Sequence, residues 1–400
     1  MISVHQAIQQ IREQNFASKK KQTLRVEDAL GFILATHIDA PINLPPFKQS
    51  NMDGYAVRFR ESENTATSYN LIGEIKAGDA INLKMKPGDA VRIFTGAMIP
   101  DNADAVVMQE KSIVKNTELI IDFAPLVGQH MRAIGSQISK GSNALPKGHY
   151  MTPVSIGLLK SLGIEKVQVY ETPKVTIIVT GNELVTTGNS LKEGQIYESN
   201  SEVLKAALHQ QGIQRVSVHY AKDTLKDTET IIHDALIASD IVLISGGISV
   251  GDYDFVGTAL QNLDVKQLFY KVLQKPGKPL FFGKKDTTYV FALPGNPAST
   301  LTCFYVYVIE FIDRFVGNSH SGLMRVQLPI SEPFENRFNK TLFLKARVHK
   351  NSVEILDHQS SSTVISFAAA NALVCIPEEI KKVDKGNLVE TLILPYGSSN

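Results

Sequence analysis

The stretch from Ile241 to Asp254 reads IVLISGGISVGDYD. Ile241, Val242, Leu243 and Ile244 run without a polar break, which predicts a strand buried on both faces of a parallel sheet. The strand ends in Ser245-Gly246-Gly247, where glycine lets the backbone turn sharply and lets a ligand approach the amides. Ser249 and Gly251 extend the turn, and Asp252 and Asp254 close it with carboxylates. Two readings are open at this point. One is a phosphate cradle followed by a cation ligand; the other is a tight β-to-α turn with a capping aspartate.

The residues around it decide what kind of sheet this is. Val175–Val179 and Val216–Tyr220 read as two further strands. Between them Asn200 can cap a helix through Val203, Leu204, Ala207 and Leu208, ending at Gly212, and Leu225 to Leu236 forms another. Phe269–Leu273, Leu280–Phe282 and Val290–Leu293 add strands, and Pro297 to Phe315 is a long closing helix. This order predicts a doubly wound α/β domain over 171–320, with ligands at the carboxyl ends of its strands. Glu183, Asp223 and Asp254 follow successive strands there. Three carboxylates on one sheet edge suit a hard cation such as Mg²⁺ and the phosphate oxygens it organises. Helix capping is the competing explanation, for Asp223 above all.

Two turns in this region suit an anion. Lys275-Pro276-Gly277-Lys278-Pro279 holds two lysines around a glycine, and a solvated basic turn is its plainer reading. Pro294-Gly295-Asn296-Pro297 opens the closing helix, with Ser299 in the first turn, where free amides favour anions. There is no GxxxxGK[ST] motif in the chain.

The flanks differ in character. Ser3 can cap an amphipathic helix carrying Val4, Ala7, Ile8 and Ile11, and a shorter helical pattern lies around Val26 to Ala35. Pro41, Pro45 and Pro46 break it, and PPFKQSNMDGYAVR follows. Short alternating stretches then predict a β-rich module over 46–130. It contains Asp53, a turn residue before a hairpin by local chemistry, and Thr95 in RIFTGAMIPDNADAVVMQE; both could contribute to a site. A helix from Pro153, with Ile156, Leu158, Leu159 and Leu162, ends at Gly163. Residues 1–45 and 131–170 thus read as one helical linker domain. Residues 321–400 show strands at Val326–Ile330, Leu342–Val348, Val353–Leu356, Leu373–Ile376 and Leu388–Leu392, a small β-barrel or sandwich. The hydroxyl-rich loop His358–Thr363 is its most ligand-friendly segment.

Four hundred residues agree with two to four domains, at about 100–200 residues each. A net charge of +1, from 41 basic and 40 acidic residues, gives no global argument for nucleic acid or a membrane surface. Cys303 and Cys375 lie far apart in apolar company, so no disulfide framework or CxxC site is expected, which fits a reducing, cytoplasmic setting. The most apolar stretch, Phe304–Val316, is short and carries Glu310, Asp313 and Arg314, so no membrane span is expected.

Taken together, PPFxxSxMDGYA, RIxTGAxxPxxADAVVMQE, TGxEL with GQIYxSN, SGGxSVGxxD, KPGKP and LPGNPxS, in that order, resemble the MoeA-type molybdopterin molybdenumtransferases. The animal relative of that family is the carboxy-terminal part of gephyrin, and the resemblance covers nearly the whole chain. It implies an elongated multidomain chain: a helical linker domain, an inserted β-rich domain, an α/β molybdopterin-binding domain and a C-terminal β-barrel. It implies insertion of molybdate into adenylylated molybdopterin with Mg²⁺-dependent release of AMP. It also implies a homodimer whose active site is shared between subunits, which is how Asp53 and Thr95 would join the catalytic set of Glu183, Asp223 and Asp254. The same three strand-end carboxylates would be the metal ligands. Ser245, Gly246, Gly247, Ser249, Pro294 and Asn296 would line the pterin nucleotide pocket. Lys275, Lys278, Ser299, Lys345 and Ser361 would bind molybdate. A molybdopterin adenylyltransferase and molybdoenzyme chaperones are the partners this implies.

The chain departs from the family pattern at three points. Lys48-Gln49 stands for Asp-Asn in the first motif, Asn182 for an aspartate before Glu183, and Lys345 for an arginine, with Arg347 nearby. Two other functions are compatible with parts of the chain: a gephyrin-like scaffold without catalysis, and an adenylyltransferase built on the α/β domain alone. Tungstate, a tetrahedral dianion like molybdate, is not distinguished by the sequence.

Overall fold

In a computed structural model of the chain, residues 1–14, 20–60, 68–80, 83–248, 255–318 and 322–396 are described. They form two units, Met1–Gln22 with Gly31–Ile33 and Val169–Asn400, and Thr23–Leu30 with Leu34–Gln168.

The larger unit is built on a six-stranded sheet. Val175–Thr180 lies between Val216–Ala221 and Ile241–Ser245, all parallel, and Ile241–Ser245 is in turn parallel to Thr288–Leu293. Every residue of Ile241–Ser245 is buried, as its unbroken apolar run requires. One face of the sheet, through Ile177, Leu243 and Phe291, shares a core with Leu204, Leu208 and Phe304. The other, through Ile178, Val242 and Ile244, meets Ile232 and Leu260. Helices on both faces make the domain doubly wound. The sheet is then extended by an antiparallel pair, Phe281–Lys285 and Lys266–Tyr270. Strand direction leaves no mark on apolar periodicity, so these strands were visible in the sequence but their reversal was not.

The amino-terminal helix Val4–Arg12 has the expected cap. Ser3 Oγ accepts from Gln6 N–H, and Gln6 Oε1 returns the bond to Ser3 N–H. It does not join a linker domain. Its buried stripe Val4, Ala7, Ile8 and Ile11 enters the core of the α/β unit, and Arg12 forms a two-point ion pair with the buried Glu310, at 2.7 and 3.3 Å. An amphipathic stripe shows that a helix must dock, not on which surface. The pair raises the Arg12 pKa, chiefly through the Glu310 hydrogen bond.

After the α/β domain, Thr341–His349 pairs with Ala372–Ile376, which pairs with Leu388–Ile393 and then Arg325–Pro329. Ser352–Ile355 pairs with the other side of Thr341–His349, and a bridge from Ile330 to Val353 joins the two ends of this path. The strands therefore wrap back on themselves. Two residues of the α/β segment, Gln274 and Lys275, pair in parallel with Thr341 and Leu342.

The smaller unit holds a six-stranded sheet in the order Ala105–Met108, Gly54–Val57, Asp89–Ile93, Ser68–Ile75, Glu118–Ile120, Ile113–Lys115. Its two faces bury Ala56, Val91 and Ile93, and Val57, Tyr69 and Val107. The helix Pro153–Ser161 starts at a Thr152 capping box with proline in its first turn. The helical pattern at Val26–Ala35 yields only a 3₁₀ turn, Val26–Asp28, because Gly31 takes a left-handed conformation, φ +81°. Outside Val4–Arg12 and Pro153–Ser161, the segments read as a helical linker contain no α-helix among the described residues. No helix among the described residues is long and apolar enough to cross a membrane.

Candidate functional site

Two cavities open at the carboxyl ends of the parallel strands. The first, of about 610 Å³, is lined by Glu183, Asn200, Asp223, Ser245, Gly246 and Gly247 among others. The chain reaches it by the turns that follow four neighbouring parallel strands. Gly246 has φ +96°, and a Cβ there would lie 2.9 Å from the Thr180 carbonyl oxygen, so the turn admits only glycine. Ser245 is buried, and its Oγ accepts from Asn200 Nδ2 at 2.9 Å; the same amide donates to the Gly295 carbonyl at 2.8 Å. Asn200 thus ties the glycine turn to the Pro294–Pro297 loop. The sequence suggested it as a helix cap; it is instead the first residue of Asn200–Gln210. Its place in GQIYESN was the only signal of a site role.

Asp223 is not a helix cap. Thr224 caps Leu225–Ala238 through Asp227 N–H. Asp223 Oδ2 accepts from Asn182 N–H at 2.9 Å, and Asn182 Oδ1 accepts from Asp223 N–H at 3.3 Å. Asparagine at 182 completes this reciprocal pair without placing a second negative charge beside Asp223. Glu183 is exposed on the cavity wall, and its carboxylate has no hydrogen-bond partner among the described residues. A third carboxylate on this wall, Glu198, is buried and committed to Ser201 N–H and Oγ. No lysine, arginine or histidine is among the described residues lining this cavity, which is therefore acidic. Ser249 and Asp254 lie outside the described residues. No group of three metal-binding side chains converges among the described residues. Two carboxylates are nonetheless a sufficient protein contribution for Mg²⁺, which keeps waters and takes phosphate oxygens as its other ligands.

The second cavity, of about 870 Å³, is lined by Lys275, Lys278, Ser299, Arg337, Lys340 and Ser361 among others. Four cationic side chains face it against one carboxylate, Glu335, so it is basic where its neighbour is acidic. Pro279, Pro294 and Asn296 line both cavities and form their common wall. Lys275 Nζ lies over the Phe338 ring, 3.5 Å from its centroid, a cation–π contact. Asn296 Nδ2 donates to Ser361 Oγ at 3.1 Å, and Ala298 N–H donates to the Ser361 carbonyl at 3.1 Å. The barrel loop therefore occupies one of the helix-terminal amides that the sequence offered to an anion.

Lys345 is not on either cavity wall. It is 3% exposed, and its Nζ donates to the carbonyls of His358, Ser360 and Thr363 at 2.8, 3.1 and 3.2 Å. It holds the loop that presents Ser361. Burial lowers its pKa. Arg347 is also committed, to the Ala369 carbonyl. The cations that reach the cavity from the barrel are Arg337 and Lys340, in a loop whose sequence, ENRFNK, carries no motif.

Asp53 and Thr95 lie in the smaller unit and meet each other. Asp53 Oδ1 accepts from Thr95 N–H at 2.7 Å and from Thr95 Oγ1 at 2.8 Å. These bonds, the backbone one first, hold the exposed Asp53 carboxyl below its usual pKa.

Three family descriptions match successive parts of the chain: "MoeA N-terminal region (domain I and II)" over residues 2–163, "Probable molybdopterin binding domain" over 176–314, and "MoeA C-terminal region (domain IV)" over 327–394. The chain is 33% identical to the molybdopterin molybdenumtransferase of Haemophilus influenzae over 97% of this chain and 98% of that one. It is 31% identical to that of Staphylococcus epidermidis, over 99% and 96%. A crystal structure of the molybdopterin biosynthesis MoeA protein from Pyrococcus horikoshii superposes with a TM-score of 0.82 at 31% identity, covering 98% of this chain and 99% of that chain.

Proposed function

The chain belongs to the MoeA-type molybdopterin molybdenumtransferase family, and we propose that it inserts molybdate into adenylylated molybdopterin and releases AMP, a step of molybdenum cofactor biosynthesis. The observation that carries this reading is an acidic and a basic cavity sharing one wall. The pterin nucleotide lies along the glycine turn of the acidic cavity, with Asn200 keeping that turn in register. Glu183 and Asp223 would hold Mg²⁺, with Asp254 as a third ligand. When bound, the ion draws charge from phosphate oxygens and so eases cleavage of the phosphoanhydride. Across the wall, Lys275 and Lys278 offset the charge of a tetrahedral dianion, and Ser299 and Ser361 can donate to its oxygens. Keeping both substrates on either side of Pro294–Asn296 turns their encounter into a local event.

The test is AMP release from adenylylated molybdopterin with Mg²⁺, with and without molybdate. Molybdate-dependent release, with metal appearing on the pterin dithiolate, is expected. A folded chain that released no AMP would favour a scaffold, and AMP release indifferent to molybdate would count against the basic cavity as an oxyanion site.

The same reading makes the active form a cytoplasmic homodimer in which Asp53 and Thr95 of one protomer serve the site of its partner. It is supported by the resemblance of their motifs and by the ionised, exposed Asp53 carboxylate that Thr95 fixes in direction. Inactive Asp53→Ala and inactive Glu183→Ala chains, mixed and allowed to exchange subunits, should recover up to about a quarter of wild-type activity, since half the dimers then hold one intact site. No recovery despite measured exchange would rule out the shared site.

A further inference from the structure

At the wall of the basic cavity lies a buried polar pair, Tyr307 and Gln274, of which Gln274 lines the cavity. The helix that closes the α/β domain is interrupted by a π-helical turn, Phe304–Val308. Such turns add a residue to the helix and re-aim the side chains around it, and they recur at functional sites. Within the turn Tyr307 is 0% exposed, and its hydroxyl donates to Gln274 Oε1. Gln274 is 1% exposed, and its Nε2 donates to the carbonyls of Pro276 at 3.0 Å and Gly277 at 3.2 Å. The lysine-bearing turn is therefore folded around one carboxamide, with Lys275 and Lys278 on its outer side facing the cavity.

The arrangement has a single satisfied form. Reversing the carboxamide would set its oxygen against two carbonyl oxygens and lose both donated bonds. Burial raises the Tyr307 pKa well above its ordinary value, so the hydroxyl remains a donor throughout the working range. The Gln274 end is also held by the barrel, through the pairing of Gln274 with Thr341 and of Lys275 with Leu342.

We propose that Tyr307 and Gln274 are positioning residues for the oxyanion: the hydroxyl fixes the carboxamide, the carboxamide fixes the turn, and the turn sets the spacing of Lys275 and Lys278. This rests on the reading of the basic cavity as the molybdate site.

The test uses the full chain and molybdate itself, titrated calorimetrically and in steady state. Tyr307→Phe removes only the hydroxyl. The Kd and KM for molybdate should rise about tenfold, because the loosened turn must be re-ordered on binding at a cost on the scale of one buried hydrogen bond. The kcat at saturating molybdate and the KM for adenylylated molybdopterin should stay within about twofold. Tyr307→Phe with Gln274→Met removes the unpaired Oε1 but also unpairs the Pro276 and Gly277 carbonyls, so its thermal midpoint should not exceed that of Tyr307→Phe. It should not recover molybdate affinity, because the Pro276 and Gly277 carbonyls have then lost their donor as well. Unchanged molybdate affinity in a folded Tyr307→Phe chain would overturn the inference, as would wild-type affinity in a folded double variant. Should Tyr307→Phe prove too unstable to assay at room temperature, titration of the folded chain in the cold decides: weak binding supports the inference, and wild-type binding overturns it. If the wild-type chain does not bind molybdate, the reading of the cavity fails first, and this inference with it.

Discussion

Replacing Glu183 by alanine is expected to slow molybdate-dependent AMP release by about a hundredfold to a thousandfold, the usual effect of losing one group that stabilises developing charge. The fold should be untouched. The side chain is exposed and has no hydrogen-bond partner among the described residues, and such substitutions cost within about 0.5 kcal/mol. Asp223 makes the control. Asp223→Asn keeps an oxygen for the Asn182 N–H and loses only the charge, so it should resemble Glu183→Ala. Asp223→Ala loses the bond as well and should add about 1 kcal/mol of destabilisation. Because both carboxylates belong to the acidic cavity, calorimetric binding of molybdate should be unchanged in all three variants. Initial rates of AMP release across a Mg²⁺ titration check this. A wild-type rate in Glu183→Ala would end the assignment of a metal role to that residue.

The largest loss of stability in the site is expected at Gly277→Ala. Gly277 has φ +85°, and an added Cβ would lie 2.5 Å from Cys303 Sγ and 2.9 Å from Gln274 Nε2. Both neighbours are buried. The left-handed backbone costs about 1–2 kcal/mol for alanine, and forcing a carbon into a filled space costs about 1–3 kcal/mol more. Molybdate binding should disappear with the displaced turn. Adding Cys303→Ala opens room on the sulfur side and leaves the backbone strain, so the double variant should recover part of the difference between Gly277→Ala and Cys303→Ala. Thermal midpoints of the four chains give the cycle. A Gly277→Ala chain melting like the wild type would show that the turn is held less tightly than the buried contacts imply.

The residues differ in how openly they announced these roles. The run Ile241–Ile244 could only be a covered strand, and the glycines after it could only be a turn. The barrel strands followed from their alternation to within a residue or two. Cavity residues at strand ends were legible because the topology brings all such ends to one edge. What was not legible is what depends on a partner distant in sequence. Lys345 reads as a free cation until the carbonyls of residues 358–363 are seen around it. Gln274 is one polar residue in an unremarked stretch, and its importance comes from a tyrosine 33 positions away. Arg337 and Lys340 belong to no motif and line the cavity because the C-terminal segment docks on the α/β segment, in part through the pairing of Gln274–Lys275. The helix Val4–Arg12 showed that it would dock but not where.

The walls of the two cavities have different ancestry within the chain. The acidic one is made by residues 180–297, with Ser362 alone coming from beyond the α/β domain. The basic one draws Phe334, Arg337, Lys340, Leu342 and Ser361 from the C-terminal segment. A chain ending near residue 320 would keep the residues of the acidic wall almost whole and lose about half of those of the basic one. On the proposed function, oxyanion binding would thus be a property of a junction and not of any one domain. Joining a small barrel to a nucleotide-binding fold is enough to create a second compartment, and the first need not be rebuilt to use it.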